Sequence, residues 1–276
     1  MTLKPTGDLL RTPLVGANVV ALEQAEAFVR AAEDCGLPLL LQLSQNAIRY
    51  HGALRPLGRA LLALAEDSSA EVGVHLDHAT EEGLVEEAVR LGFLSVMFDA
   101  SASPAEENID RTSRVVSRYT AEGVWVEGEI GEIGGKYGNH DPRVTTPVQD
   151  AVAFWEQTRV SGLAVAVGNS HHMRDKSATL DLVRIREIAA VIPVPLVLHG
   201  SSGVPREDIR SAIHAGIRKI NVATEFNTVT TDEIRHHLMN NPSVSDPREY
   251  WGKARDALHQ SMVDYLSYIA QSSPPE

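Results

Sequence analysis

Three histidines in this 276-residue chain stand at the ends of short apolar runs: His78 in VGVHLDH, His171 in GLAVAVGNSHH and His199 in VPLVLHG. Three imidazoles around one ion leave a fourth position open, which is the arrangement of a catalytic zinc able to polarise a carbonyl or acidify water. Carboxylates occupy comparable places: Asp77 beside His78, Asp99 at the end of GFLSVMFD, and Glu127 and Glu129 in GVWVEGEI. After His199 the chain reads GSSGVPREDI, two glycines flanking two serines ahead of a helix expected to begin at Pro205. Backbone N–H groups of such a turn, with a helix dipole behind them, can cradle a phosphate. The segment NVATE, from Asn221 to Glu225, offers a second short run of donors.

For these groups to act together, distant segments must end at one rim. Apolar runs bounded by turn residues recur at 14–20, 38–44, 72–78, 92–99, 123–130, 162–168, 194–200 and 217–223. Most are rich in Val, Leu and Ile without a clean alternation, as expected of strands covered on both faces. Between them lie stretches with apolar residues at three- and four-residue spacing, such as ALEQAEAFVRAAEDCG and TEEGLVEEAVRLG, and several of these stop at glycine. Eight strand–helix units predict a single (β/α)8 TIM barrel spanning residues 1–276, with DPREYWGKARDALHQSMVDYLSYIA forming an additional C-terminal helix. An open doubly wound sheet would want fewer strands and an early glycine-rich dinucleotide turn, and no such turn is present. A barrel carries its chemistry where strands end and often binds phosphate after strands seven and eight, where GSSG and NVATE fall. The other strand ends also deliver polar groups, namely Asn18, Ser44 and Gln45.

Hydrophobic residues make up 43% of the chain and charged ones 22%, enough for a sizeable core. The net charge of −12, with no basic block, argues against nucleic acid or anionic membranes as partners, so an anionic substrate must be held by local features. A single cysteine, Cys35, excludes an internal disulfide and fits a reducing compartment. No run approaches the roughly 20 apolar residues of a membrane span, and the first ten residues lack a signal core, so a cytoplasmic location is expected.

These motifs in combination resemble the class II (zinc-dependent) fructose- and tagatose-bisphosphate aldolases over nearly the whole chain. HLDHATEEGLVEEAVRLGFLSVMFDAS is similar to the family's first metal-ligand segment, VEGEIGEIGG to its acidic fifth-strand motif, and AVAVGNSHH, LVLHGSSGVP and KINVATE to its later histidines and ketose-phosphate loop. NPSVSDPREYW resembles its approach to the last helix. The resemblance implies zinc on His78, His171 and His199, with Asp77 as general acid/base at the C4 hydroxyl of a ketose phosphate cleaved to dihydroxyacetone phosphate and an aldehyde. It implies a phosphate on Gly200, Ser202, Asn221 and Thr224 with Lys176 as a charged partner, and Ser44 facing the substrate. Asp99 and Glu129 match positions that line a second cation site or hold the first ligands in place. Gly168 and Gly200 carbonyls are implied to bind a monovalent cation, Na+ or K+, and the protein to form a homodimer or homotetramer.

Several residues depart from the family's pattern. Tyr137 falls where relatives carry a loop glutamate, with Glu132 or Asp141 as substitutes, and His172 replaces a glycine. The placement of Lys176 and Ala223 resembles the tagatose type. Tyr265 aligns where the last helix generally offers a cation to the distal phosphate. That leaves open an acceptor aldehyde that is sulfonated, carboxylated or unmodified, recognised with help from His172 and Arg174. The other readings are a catalytically inactive family member that binds metal and sugar phosphate, and a zinc hydrolase, which leaves the phosphate cradle unexplained.

Overall fold

A computed structural model describes residues 3–131, 145–169 and 176–272. Eight parallel strands close in chain order into a barrel: β1 (Leu14–Asn18), β2 (Leu39–Ser44), β3 (Val72–Ala79), β4 (Ser95–Phe98), β5 (Trp125–Ile130), β6 (Gly162–Val165), β7 (Leu196–Leu198) and β8 (Ile217–Val222). Closure is made by β1, where Val15 is in register with Leu39 on one side and Ile220 on the other. The helices are α1 (Thr6–Leu9), α2 (Leu22–Cys35), α3 (Gln45–His51), α4 (Arg55–Asp67), α5 (Glu82–Leu91), α6 (Ala105–Tyr119), α7 (Val148–Thr158), α8 (Leu182–Val191), α9 (Arg206–Ala215), α10 (Thr224–Asn240) and α11 (Pro247–Gln271).

The expected barrel and C-terminal helix are therefore present, with local differences. Two helices, not one, follow β2, and α1 precedes the first strand. Pro205 caps α9 from outside, and Arg206 is its first residue. The glycine stops behave as their chemistry requires: Gly36 ends α2 at φ 62° and Gly92 ends α5 at φ 113°, conformations costly for any residue with a Cβ.

Polar and apolar residues alternate in β3, β5 and β8, and the alternation separates the barrel's two faces. Val74, Leu76, Val126, Ile220 and Val222 point outward into the core shared with the helices. His75, Asp77, Glu127, Glu129, Lys219 and Asn221, at the intervening positions, point inward and are all buried. The interior is thus layered. Its floor is apolar, built from Leu9, Leu14 and Leu40 beside Met97, Trp125, Ala164, Ala166 and Val197. Trp125 fills this floor only because β6 begins with glycine: a Cβ on Gly162 would lie 2.3 Å from its ring. Helix α1 seals the floor from below, where Thr6 Oγ1 meets Ser95 Oγ at 2.5 Å and Ser95 Oγ meets His75 Nδ1 at 2.7 Å. Above the floor sits a polar layer, the His75 imidazole and the Glu127–Lys219 ion pair, and above that the mouth.

Helix α11 lies against α2 and α10. It buries Leu258, Met262, Tyr265, Leu266 and Ile269, and ties to α2 through Arg255–Glu26 (2.8 Å) and His259–Asp34 (2.7 Å). No helix of the described residues is long and apolar enough to cross a membrane.

Burial, reinforced by the Lys219 charge, holds the His75 imidazole well below its ordinary value of 6.5, so it is neutral in the fold. The unfolded chain binds a proton there below about pH 6.5 and the folded chain does not, so stability present above that pH is lost as pH falls, by about 1.4 kcal/mol per unit. Urea unfolding of the metal-free protein should show this loss in the wild type and a shallower one in His75→Asn, which keeps a polar atom near Ser95. Parallel pH profiles for the two proteins would contradict it.

Candidate active site

The mouth is a cleft of about 410 Å3 lined from six strand ends, including Asn18, Ser44, Asp77, His78, Asp99, His199, Gly200, Ser202, Asn221 and Thr224. At its centre His78 Nε2 and His199 Nδ1 face each other at 3.0 Å. Each ring's other nitrogen is held by a carboxylate: His78 Nδ1 by Asp99 Oδ2 at 2.8 Å, and His199 Nε2 by Glu127 Oε1 at 2.8 Å. A carboxylate accepts, so each outer nitrogen carries the proton and each inner nitrogen presents a lone pair. Two lone pairs at that distance repel unless a cation lies between them. Asp77, 4.0 Å from His78 Nε2 through Oδ1, completes a group whose ligand atoms lie within 4.8 Å of one another. The donor set and its outer hydrogen bonds fit a divalent metal held by histidine.

Strand alternation should send His78 outward, because its neighbour Asp77 points in. The β3–β4 register shifts between Leu76 and Ala79, and His78 sits at φ 50°, one of two non-glycine residues in the left-handed region among the described residues. This conformation costs on the order of 1 kcal/mol. It brings two consecutive side chains to one cleft.

Asp77 is 3% exposed and accepts from Asn18 Nδ2 (2.7 Å) and Gln42 Nε2 (3.2 Å). Burial pushes its carboxyl up, whereas the charge that His78 and His199 carry when doubly protonated, the Lys219 ammonium and the Asn18 hydrogen bond pull it down, leaving it below the ordinary carboxylate range. Gln42 can lie there because β1 has no side chain opposite it: a Cβ on Gly16 would fall 1.8 Å from Gln42 Oε1. Asp99 and Glu129 are bridged by Ser101, whose single hydroxyl proton is shared between Asp99 Oδ1 at 2.6 Å and Glu129 Oε1 at 3.1 Å. Glu129 Oε2 lies 4.0 Å from His78 Nδ1, so His78, Asp99 and Glu129 form a second compact donor group.

Toward β7 and β8, Gly200 adopts φ 62° and opens a single 3-10 turn, Ser201–Gly203. Ser201 Oγ donates to the Asn221 carbonyl at 2.6 Å, and Ser202 Oγ accepts from Glu225 N at 3.1 Å, locking the turn onto the start of α10. The Asn221 amide nitrogen lies 3.2 and 3.4 Å from the two His199 ring nitrogens. Ser44 caps α3, accepting from Ala47 N at 3.2 Å. Lys176 pairs with Glu225 at 3.3 Å, and Arg206 reaches the same carboxylate at 3.3 Å.

Of the expected site residues, Asp77, His78, Asp99, Glu129, His199, Ser44, Gly200, Ser202, Asn221 and Thr224 come together at one mouth, and Lys176 stands beside it. His171, His172 and Arg174 lie outside the described residues, as do Glu132, Tyr137 and Asp141. Tyr265 does not face the cleft. It is 1% exposed, packed on Phe226 (ring centroids 5.7 Å apart) with the Arg206 guanidinium 5.0 Å from its ring, so it occupies no distal-phosphate position in this cleft. Sequence reasoning did not assign roles to Asn18, Gln42, Ser101, Glu127 or Lys219. The signal for Glu127 and Lys219 was a charged residue at an inward-facing position of a largely buried strand, in VWVEGEI and IRKINV.

Residues 11–273 match the family model described as fructose-bisphosphate aldolase class-II. A fructose-bisphosphate aldolase of Thermus caldophilus is 38% identical over 89% of each chain. One from Staphylococcus epidermidis is 35% identical over 93% of this chain and 91% of the relative. Among solved structures, the YdjI aldolase from Escherichia coli K12 superimposes with a TM-score of 0.85 over 99% of this chain and 98% of that one, at 24% identity. With a polar cleft at the carboxyl ends of its barrel strands, the chain belongs to the class II fructose-bisphosphate aldolase family and is an aldehyde lyase.

Proposed function

We propose that the protein is a zinc-dependent aldolase that reversibly cleaves a ketose 1-phosphate or ketose bisphosphate of the fructose or tagatose type to dihydroxyacetone phosphate and an aldehyde. The observation that carries this reading is the pair of imidazole lone pairs facing each other at 3.0 Å, each fixed by a carboxylate behind it. His78 and His199 would hold the ion together with His171. When bound, zinc supplies a Lewis acid that polarises the ketose carbonyl and stabilises negative charge as the C3–C4 bond breaks.

The remaining chemistry belongs to the chain's own groups. Asp77, ionised and oriented by Asn18 and Gln42, takes the C4 hydroxyl proton in cleavage and returns it in condensation. Gly200, Ser202, Asn221 and Thr224 receive the phosphate, where the first N–H groups of α10 have no carbonyl one turn behind them. Lys176 leaves Glu225 to join it. Ser44 meets the substrate from β2. Asp99, hydrogen-bonded to His78, holds that ring in place with Glu129 behind it, and a second cation on Asp99 and Glu129 is the other role their grouping supports. A sodium or potassium ion on the Gly168 and Gly200 carbonyls, and a homodimeric or homotetrameric assembly, belong to the same proposal. Arg49, paired with Glu81 at 3.4 Å, is the only Lys or Arg lining the cleft among the described residues, and it would have to leave that carboxylate to meet an anionic group on the acceptor aldehyde.

A glycerol-phosphate dehydrogenase-coupled assay over a panel of ketose 1-phosphates and bisphosphates tests this reading. Chelated protein should lose turnover and regain it with zinc; undiminished turnover in zinc-free protein would overturn the proposal. Asp77→Asn should keep its zinc and lose roughly 10^2- to 10^4-fold in kcat.

Gly16→Ala should displace Gln42, which lies far nearer the new Cβ than Asn221 Oδ1 at 2.9 Å, and remove one hydrogen bond from Asp77. Its carboxyl then rises, and the acidic limb of the kcat/KM profile moves to higher pH. An unmoved limb would mean that Gln42 does not set the acidity of Asp77.

A further inference from the structure

Beneath the cleft lies an ion pair that the mechanism above does not use. Lys219 Nζ donates to Glu127 Oε2 at 2.7 Å, and the other oxygen of the same carboxylate receives His199 Nε2 at 2.8 Å. Lys219, Glu127 and His199 are all 0% exposed. The three come from β8, β5 and β7, and the lysine reaches across the interior to make the contact.

Such a pair is a poor device for stability alone. Removing two charges from water is expensive, and well-packed apolar residues of similar volume commonly do as well or better. The lower interior already shows that apolar solution in Met97, Trp125 and Val197. A charged pair one layer higher, touching one imidazole, points to a task at that imidazole. The ammonium 2.7 Å from Glu127 Oε2 anchors that oxygen and leaves Oε1 directed at His199 Nε2.

We propose that Lys219 is a positioning residue for the metal centre: it anchors Glu127 through Oε2, Oε1 is thereby aimed to accept from His199 Nε2, and the Nδ1 lone pair is left facing the cleft. The inference rests on the zinc-aldolase reading and adds to it residues that touch neither metal nor substrate. His78 provides an internal comparison, because its tautomer is set by Asp99 on the opposite side.

The test uses full-length protein carrying Lys219→Met together with Glu127→Gln, which removes both charges at nearly constant volume. Lys219→Met alone would leave a buried carboxylate without its cation and risks not folding. Circular dichroism and a thermal melt establish that the double variant folds. In metal-free protein, 15N shifts of the imidazoles should report His199 protonated on Nε2 in the wild type and as a mixture of tautomers in the double variant, with His78 unchanged in both. Zinc affinity, measured by competition with a chromophoric chelator, should fall about 10- to 100-fold. A folded double variant with the wild-type His199 tautomer and wild-type zinc affinity would overturn the relay and leave the aldolase reading intact. Failure of the wild-type protein to bind zinc would overturn the reading on which the relay rests.

Discussion

Repulsion between two imidazole lone pairs is the constraint around which the rest of this molecule is arranged. His78 Nε2 and His199 Nδ1 are pointed at each other, and the carboxylates of Asp99 and Glu127 prevent either ring from relieving the contact by moving its proton inward. A cation between them turns the repulsion into two bonds. Around that contact lie the bulge and left-handed backbone that turn His78 inward, the serine bridging Asp99 to Glu129, and the buried lysine behind Glu127.

A closed barrel suits this arrangement because it brings side chains from non-adjacent strands into one column while the backbone hydrogen bonds remain intact. The column changes character with height. Apolar residues fill the floor, a desolvated polar layer lies above it, and hydrogen-bonding groups open to the cleft at the top. Glycines permit what side chains would forbid, Gly162 beneath Trp125 and Gly16 opposite Gln42. Asp77 is 3% exposed, accepts from Asn18 and Gln42, and has its carboxyl held below the ordinary range despite burial.

The rim of the barrel was legible in the sequence because strand ends and helix stops carry local signals. His199 followed by GSSG and Asp77 next to His78 each declare a polar strand end within a few residues, and all reach the cleft. The Lys219–Glu127 contact was not legible as a pair. Its partners are 92 residues apart and meet only through the interior of a closed sheet. Alternation in β3, β5 and β8 does mark which residues face inward, and reading those strands as uniformly apolar concealed it. Tyr265 aligns where relatives offer a cation to the distal phosphate, and nothing local in QSMVDYLSY marks that its ring is buried against Phe226.

The central claim is that one divalent ion sits between these two rings. Anomalous diffraction at the zinc edge from crystals of zinc-loaded protein tests it most directly. The account predicts a peak about 2.0–2.1 Å from both His78 Nε2 and His199 Nδ1. A peak bound to neither nitrogen, or none at full zinc loading, would contradict it.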